Sequence, residues 1–580
     1  MFVRVKAKPN KKRSVQIVKA VRNGYKVKQV IVHHVGVALD DNSENKMRAL
    51  AHELIAQFEQ KEKEGQLSYV EPLSIEEEGK IRGKQSERRK AGRRPTKKLE
   101  DIVPPEQVTL AEVVETDRLV EGIHEIGDIV YNELGFDKIF TSKRLSSLLK
   151  DLVLARTVCP ESKLMLSKTL KENFDKEYDI NKLYRLMDKL NDKIPTIKKL
   201  VYNRSAALFP EEGVQMLFYD VTTLYLESFT EDEFRRIGFG KDGKNNQPQL
   251  VLALCTNTDG LPIGYELFKG NKAEVSTLIE SLESWKNLFT IGSATFVGDR
   301  AMFSDDNLLL LEKHGYTYVI AAKLKNLSAD LKKQVTNKEN YATTKLKDAK
   351  NKGKKTQQDA YILVAEFDRD GRRLIVSYKD SRAECDAKKR NKKIEKLRKE
   401  LAAGNKVKKF MKSGKKKYLI TSETTCKINE DLIKQEEAWD GLHGVITNLK
   451  EGKPLEILGK YGRLHIIEDA FRVQKTNLKI RPVFHWKKRR LESHIALCYM
   501  SFAIVRQLQY KVALVLGEEK LSVHEILKEL LDVQASIYTH KETKDRYRVP
   551  GKFSQNASKI YRVFGVLRSQ DAEVYLPNSR

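Results

Sequence analysis

The chain has 580 residues. This is too long for a single hydrophobic core, so several domains are expected. Its 108 Lys and Arg outnumber 80 Asp and Glu, and the net charge of +28 favours a polyanionic partner, nucleic acid before an anionic membrane surface. Five cysteines without a CxxC pair argue against zinc fingers and a disulfide framework. Without a long apolar run or a signal-peptide core, the chain is expected to be soluble and intracellular.

Residues 1–78 are predicted to form a small N-terminal α+β domain. Apolar and basic residues alternate up to residue 40, which indicates a β-meander, and helical spacing over residues 45–62 predicts a helix packed on it. A basic linker follows over residues 79–106, with ten Lys or Arg and one acidic residue between positions 80 and 98. This linker is either a solvated tether or a segment that binds a polyanion.

Residues 107–210 are predicted to form a helical domain. Apolar residues recur at three- and four-residue spacing over residues 119–134 and 145–158. Short helices broken by Asn and Asp follow over residues 162–190, a pattern compatible with a helix-turn-helix. Such pairs often only pack against a core, and contact with DNA is the functional alternative.

A buried strand with one carboxylate is predicted at residues 216–225. Ionised carboxylates are rarely buried unless they are paired or bind a metal, so Asp220 requires an explanation. Further strands are predicted at residues 249–256, 261–268, 294–299 and 316–322, and helices at residues 273–289 and 305–313. Together they complete a mixed α/β unit over residues 211–324, and the strand at 294–299 ends at Asp299. Functional groups gather at strand ends in such sheets.

Residues 325–447 interrupt the α/β pattern. Strands are predicted at residues 361–367, 373–378, 418–422 and 444–447. Residues 388–417 carry fifteen Lys or Arg against two Glu. We interpret this region as a β-rich insertion with a basic arm.

The second part of the core is placed at residues 448–510, followed by a C-terminal helical and mixed region over residues 511–580. Residues 461–475 predict one amphipathic helix, on which Tyr461, Glu468 and Lys475 form a stripe with Arg472 one turn beyond Glu468. A carboxylate beside cations suits phosphate chemistry.

Asp220, Asp299 and Glu468 are candidate metal ligands and catalytic residues. Their hard oxygen atoms are the ligands that Mg²⁺ or Mn²⁺ prefers. Two such ions about 4 Å apart would activate a water or a 3′-hydroxyl in phosphodiester displacement. Asp469 is the alternative to Glu468, although it lies ~100° away from the stripe on an α-helix.

Three motifs in this order resemble the DDE transposases of bacterial insertion sequences. They are Tyr219-Asp220-Val221-Thr222-Thr223, Val297-Gly298-Asp299-Arg300-Ala301-Met302, and Tyr461…Glu468…Lys475. The resemblance covers about residues 215–510 and points to the subgroup with a β-rich insertion before the Glu and a final Tyr, Arg, Glu, Lys motif. The Arg position of that motif is Leu464 here, with Arg463 one step early.

The resemblance implies a ribonuclease-H-like core, two Mg²⁺ ions, with Mn²⁺ as the alternative, and cutting and joining of the element's ends. Some relatives stack a Trp of the insertion on a flipped base, and Trp439 is at a corresponding place. Implied partners are double-stranded DNA, as terminal inverted repeats and target, with a homodimer on DNA and no membrane, at the nucleoid in a bacterial cytoplasm. The implied DNA-binding residues are Tyr461, Arg463, Arg472, Lys475, Arg300 and Trp439.

The expected fold class is therefore α/β, a ribonuclease-H-like catalytic core with a β-rich insertion, preceded by a small α+β domain and a helical domain. The expected activity is metal-dependent cleavage and strand transfer of DNA. Two alternatives stay open. One is a non-catalytic DNA-binding protein descended from a transposase, which the presence of all three acids disfavours. The other is a structure-specific nuclease on the same core.

Overall fold

A computed structural model describes most of the chain. The described residues are 1–7, 12–23, 26–38, 40–63, 108–208, 216–227, 230–238, 247–286, 294–299, 304–345, 361–402, 417–421 and 426–575. The predicted linker 79–106 and Arg300 lie outside them. Within the described residues, no helix is long and apolar enough to cross a membrane.

The N-terminal segment forms an antiparallel sheet with a helix on one face, as predicted. Val15 and Ile17 of the sheet and Leu50 of the helix are buried between them. Leu514, on a late helix of the chain, packs against the same cluster, so the segment contacts the rest of the molecule. The elements are β1 (Phe2–Ala7), β2 (Arg13–Asn23), β3 (Lys26–Ala38) and α1 (Asp41–Lys63).

The next region contains a strand and a group of helices. The helix expected over residues 119–134 begins only at Gly122, because the residues before it pair as a strand with the C-terminal segment. Ser162 and Asp179 cap two short helices by accepting hydrogen bonds from backbone amides. The elements are β4 (Val113–Val120), α2 (Gly122–Glu133), α3 (Lys143–Val158), α4 (Lys163–Phe174), α5 (Ile180–Leu190) and α6 (Ile194–Ala207).

Nine strands of the described residues form the main sheet, in the order β10-β11-β12-β15-β9-β8-β5-β6-β7. β8 runs parallel to both β5 and β9, and the other neighbouring pairs are antiparallel. The strands are β5 (Met216–Tyr225), β6 (Gln249–Thr256), β7 (Pro262–Lys269), β8 (Thr295–Gly298), β9 (Thr317–Ala321), β10 (Ala342–Lys345), β11 (Tyr361–Arg369), β12 (Arg372–Tyr378) and β15 (Leu442–Thr447).

The predicted insertion extends the main sheet, because four of its strands continue the hydrogen-bonded ladder beyond β9. The strand expected at residues 418–422 does not join that ladder: among the described residues, β13 (Leu419–Thr421) pairs with β14 (Cys426–Ile428) in a separate two-stranded sheet. The expected basic arm begins as a long helix, and residues 403–416 lie outside the described part. The helices here are α7 (Glu274–Lys286), α8 (Asp305–Lys313), α9 (Ala329–Thr336), α10 (Asp380–Ala402) and α11 (Glu430–Glu437).

The C-terminal third covers one face of the main sheet and closes a second sheet. The long helix α14 (Lys488–Leu516) lies at the centre of one buried cluster shared with α2 to α6 and with one face of β5. A four-stranded sheet has the order β18-β17-β16-β4. The other elements are α12 (Pro454–Gly462), α13 (His465–Arg472), α15 (Val523–Asp532), β16 (Gln534–His540), β17 (Arg546–Pro550), α16 (Gln555–Val563) and β18 (Glu573–Val574).

Candidate active site

Strand β5 places Tyr219 and Asp220 on opposite faces of the main sheet, because successive side chains of a strand alternate. The buried Tyr219 hydroxyl lies 3.1 Å from the hydroxyls of Thr277 and Ser281 on α7. Asp220 therefore faces the other side, where α13 packs against β5, and it is half-buried there.

Strand β8 brings Asp299 beside Asp220. The two strands run parallel, and their last register pair is Tyr219 with Gly298, so Asp220 and Asp299 are the next residues on each strand. Neighbouring strands lie ~4.8 Å apart. β8 ends at Gly298 and Asp299 is exposed, so the two acids lie where the paired part of these strands ends.

Helix α13 carries the third acid. Its buried residues Ile467, Ala470 and Phe471 join the same hydrophobic cluster as Phe218 of β5, which fixes the helix on the Asp220 face of the sheet. Glu468 lies on the exposed side of α13. Its carboxylate makes no ion pair with the part of the chain that the structure describes.

Asp469 differs from Glu468 because it is engaged by two arginines. The Arg506 Nη2 atom lies 2.9 Å from Asp469 Oδ2, and Arg472 Nε lies 3.1 Å from Asp469 Oδ1. Burial alone would raise the pKa of the Asp469 carboxyl, but the two arginines outweigh it and lower the pKa. Asp469 therefore stabilises the packing of α13 on α14, which favours Glu468 as the metal-ligand candidate.

The predicted single helix over residues 461–475 is wrong. α12 ends at Gly462, α13 begins at His465, and a π-helical turn follows over Val473–Asn477. Tight i to i+3 hydrogen bonds join the two helices, among them Leu464 N to Tyr461 O. Tyr461, Glu468 and Lys475 therefore lie on three different turns and do not form one α-helical stripe.

A cavity of about 690 Å³ opens beside Asp299. Tyr461 and Trp439 line it together with Asp299, so three of the predicted site residues share one space. Trp439 also packs on the second hydrophobic cluster of the main sheet, so it has a structural role as well. Three cations contribute to the walls: Lys323, Lys325 and Arg382.

His443 of β15 supports the Tyr461 ring inside this cavity. The ring centroids lie 5.1 Å apart with an interplanar angle of 41°. Burial, with Arg382 and Lys379 nearby, lowers the pKa of His443 to about 4, so the ring is neutral at physiological pH. The expected strand at residues 444–447 begins after His443, and no local pattern in the sequence singled it out.

The remaining predicted DNA-binding residues are dispersed. Arg463 is exposed at the C-terminal cap of α12. The Arg472 side chain is 70% exposed although it pairs with Asp469. Lys475 is half-buried in the π-helical turn. Arg300 lies outside the described residues.

A divalent cation fits the donor chemistry of the candidate site. Asp220, Asp299 and Glu468 offer hard carboxylate oxygens. Among the described residues, however, no three Asp, Glu, His or Cys side chains are gathered closely enough to hold a metal ion. The structure thus sets two acids on neighbouring strand positions and presents the third on a helix that packs over the same face. Like charges repel, so carboxylates that approach one another would favour a shared cation between them.

Comparison with known proteins gives one family match over this region. Residues 215–504, half of the 580, match the family model described as "Transposase DDE domain". The matched segment contains Asp220, Asp299 and Glu468. The comparison with curated proteins gives no match.

Proposed function

The chain belongs to the transposase DDE domain family, and on this basis we propose that it cuts and joins the DNA ends of a bacterial insertion element. One observation carries the proposal: the register of β5 against β8 sets Asp220 and Asp299 on adjacent positions inside the family-matched segment. The proposed partners are the terminal inverted repeats and a target duplex, held by a homodimer.

The proposed catalytic core is ribonuclease-H-like. The strand order β7-β6-β5-β8-β9, in which three antiparallel strands are followed by two parallel ones, supports this assignment. The insertion then adds β10, β11, β12 and β15 at one edge of the sheet, before the helix that carries Glu468.

Asp220, Asp299 and Glu468 are the proposed ligands of one or two Mg²⁺ ions, with Mn²⁺ as the alternative. A bound ion would supply Lewis acidity at the scissile phosphate and would lower the pKa of the attacking water or 3′-hydroxyl. The protein's part is to hold the carboxylates in position. The ladder between β5 and β8 fixes the two Asp residues, and the pairing of Asp469 with Arg506 fixes the rotation of α13 that turns Glu468 outward.

Tyr461, Arg463, Arg472, Lys475 and Arg300 are the proposed contacts to DNA near the cleaved phosphate. Tyr461 has the strongest structural support among these residues, because its ring packs on a neutral His443 and borders the cavity beside Asp299. Its hydroxyl offers a hydrogen-bond donor to a phosphate oxygen, and the cations of the cavity wall add attraction for the backbone.

Trp439 is the proposed stacking partner of a flipped base in this cavity. Stacking of a base on an aromatic ring is worth ~1 to 3 kcal/mol. Trp439→Ala should therefore slow processing of a synthetic element end that passes through such a distorted intermediate. Processing at the wild-type rate by Trp439→Ala would remove the residue from the DNA-binding set.

The test of the active site uses Asp220→Asn, Asp299→Asn and Glu468→Gln in a strand-cleavage assay with labelled element ends. Each variant should lose Mg²⁺-dependent cleavage by at least ~10³-fold, which is about 4 kcal/mol in the barrier, while DNA binding is retained. Asp469→Asn weakens the support of α13 but removes no proposed ligand, so it should lose less cleavage than any of these three variants. Cleavage that survives one of the three changes would remove that residue from the metal site.

A strand-transfer assay separates the transposase from a structure-specific nuclease on the same core. Joining of the cut 3′ ends to a target duplex is the result expected here. Cutting without joining would support the nuclease instead.

A further inference from the structure

The segment 478–487, called here the aromatic loop, exposes two large aromatic side chains. It connects the π-helical turn to α14. The Phe484 and Trp486 side chains are 56% and 61% exposed. Tryptophan is enriched at interfaces, and exposed apolar patches rimmed by polar residues mark interaction sites.

The aromatic loop is tied to the strand that carries Asp220. Val483 is buried and forms a parallel bridge with Leu226, one residue beyond the end of β5, and the Glu227 amide donates a 3.2 Å hydrogen bond to the Val483 carbonyl. Leu226 is six positions after Asp220, which corresponds to ~20 Å along a strand. A duplex that ran along β5 from a scissile phosphate at Asp220 would cover this distance in about six base pairs, at ~3.4 Å per step.

Helix α5 holds the aromatic loop from the other side. The His485 ring lies edge-on to Tyr184, with centroids 6.4 Å apart. Arg490, in the first turn of α14, makes two 2.9 Å hydrogen bonds with the Asp188 carboxylate and stacks its guanidinium on Tyr184 at 4.9 Å. These contacts present Phe484 and Trp486 on a defined surface.

Cations lie close to the aromatic loop. The Arg235 guanidinium, which also pairs with Asp232, lies 5.7 Å from the centre of the Trp486 ring. Lys488, just after the loop, places its Nζ 4.7 Å from the ring of Phe234, the residue before Arg235. Lys479 and Lys487 are exposed at the two ends of the loop. Aromatic rings interleaved with cations are the surface chemistry that binds unpaired nucleotides, since bases stack on the rings while phosphates bind the cations.

We propose that the aromatic loop is a second DNA-binding surface, on which Trp486 and Phe484 stack with unpaired bases flanking the cleavage site. The proposal rests on the proposed function, because it assigns DNA near Asp220 as the occupant. It is distinct from the cavity beside Asp299, which lies among β8, β9 and β15 and contains Trp439.

The test measures binding of the full-length chain to a labelled duplex and to the same duplex with a six-nucleotide single-stranded gap, in EDTA to prevent cleavage. Trp486→Ala should weaken binding to the gapped DNA roughly 5- to 150-fold, the range expected for one lost stack. Duplex affinity should stay within about twofold, and Trp486→Phe should restore most of the binding. Phe484→Ala should act in the same direction.

Salt dependence separates stacking from charge. Trp486→Ala should leave the slope of log K against log salt unchanged, because no phosphate contact is lost. The double change Lys487→Ala and Lys488→Ala should reduce that slope by about 2 and weaken both DNAs alike. The chain has three tryptophans, and Trp285 is buried, so fluorescence quenching by gapped DNA that disappears in Trp486→Phe would report the stack directly.

Equal affinity of wild type and Trp486→Ala for gapped DNA would overturn the proposal and leave the proposed function intact. An equal loss on both DNAs together with a lower melting temperature would overturn it in favour of a structural role. If Trp486→Ala lost binding to anionic lipid vesicles but not to gapped DNA, the proposal would be overturned in favour of a membrane-binding surface. Absence of any DNA binding by the wild type would overturn the proposed function as well.

Discussion

Carboxylates in two regions of this molecule have opposite surroundings. In the sheet that β4 forms with the C-terminal strands, Glu121 is 4% exposed and binds Arg548 through two hydrogen bonds of 2.7 and 2.6 Å, with Arg568 at 2.6 Å. At the end of β5 and β8, Asp299 is exposed, and so is Glu468 on α13. The carboxylate that stabilises the fold is buried and paired with arginines, whereas two of the three candidate ligands have exposed side chains.

The same contrast between a paired and an exposed carboxylate separates Asp469 from the preceding residue, Glu468. It shares helix α13 with Glu468 but pairs with Arg506, whose side chain is 5% exposed. Adjacent acids on one helix therefore differ in exposure and in ion pairing, because they face different neighbours.

The largest effect should come from exchanging an exposed acid for a softer ligand. Asp299→Cys should lose at least ~10³-fold of strand cleavage with Mg²⁺, because thiolates bind this hard ion poorly, and should recover part of it with Mn²⁺. The measurement is the cleavage rate in each metal. Asp117→Cys, on β4 in the four-stranded sheet where Asp117 binds Arg546 at 2.8 Å, is the control. An unchanged Mg²⁺ rate in Asp299→Cys would contradict metal ligation by this residue.

The buried pair in the C-terminal sheet should affect stability and not chemistry. Glu121→Ala should lower the free energy of unfolding by ~3 to 5 kcal/mol, because it removes the buried carboxylate that Arg548 and Arg568 share. Asp117→Ala, on β4 before Glu121, removes a half-exposed partner of Arg546 and should cost at most ~1 kcal/mol. Denaturant unfolding measures both, and equal losses would show that burial is not the deciding factor.

Lys163 is a buried cation whose hydrogen-bond partner is His494, with Nζ 3.4 Å from Nδ1. Burial, with repulsion from Arg156, lowers the pKa of Lys163 to about 7. The unfolded chain keeps this proton up to about pH 10.5, so between pH 7 and 10.5 the unfolded state binds more protons and stability rises with pH.

Lys163→Met should remove this pH dependence. The difference in free energy of unfolding between wild type and variant should shrink from pH 7 to pH 9.5, by on the order of 3 kcal/mol. Denaturant unfolding at several pH values measures it. Parallel curves for the two proteins would mean that Lys163 keeps its proton in the folded state.

The smallest expected effect is a difference in stability between variants of the two neighbouring acids of α13, Glu468 and Asp469. Glu468→Gln should change the free energy of unfolding by less than ~0.5 kcal/mol, since its side chain is exposed. Asp469→Asn should cost ~1 to 3 kcal/mol, because Arg506 loses its carboxylate. Thermal unfolding of both variants gives the comparison, and the reverse order would exchange the roles assigned to the two residues.

Much of the catalytic sheet could be predicted from local sequence pattern. The apolar and β-branched run around Asp220, the strand before Asp299, and the helices after them were all predicted within a few residues. The alternation of a strand and the three- and four-residue spacing of a helix depend on residues that are close in sequence, so they can be recognised in the sequence alone.

Long-range pairing could not be predicted in this way. Residues 113–120 form a strand only because β16, more than 400 positions later, completes their hydrogen bonds. The helix expected over residues 461–475 is broken because α12 and α13 each pack on a different part of the sheet, α12 on β8 and β9 and α13 on β5 and β6. Tertiary contacts override local propensity in both places.

The sequence by itself determined which residue types stand at the ends of the strands, and therefore the carboxylates and cations available to this protein. Only the tertiary structure decided that Asp220 and Asp299 are neighbours, that Asp469 is committed to Arg506, and that His443 supports Tyr461. The functional group of a side chain is given by the residue type. Its ionisation, accessibility and partners depend on groups that folding brings together from distant parts of the chain.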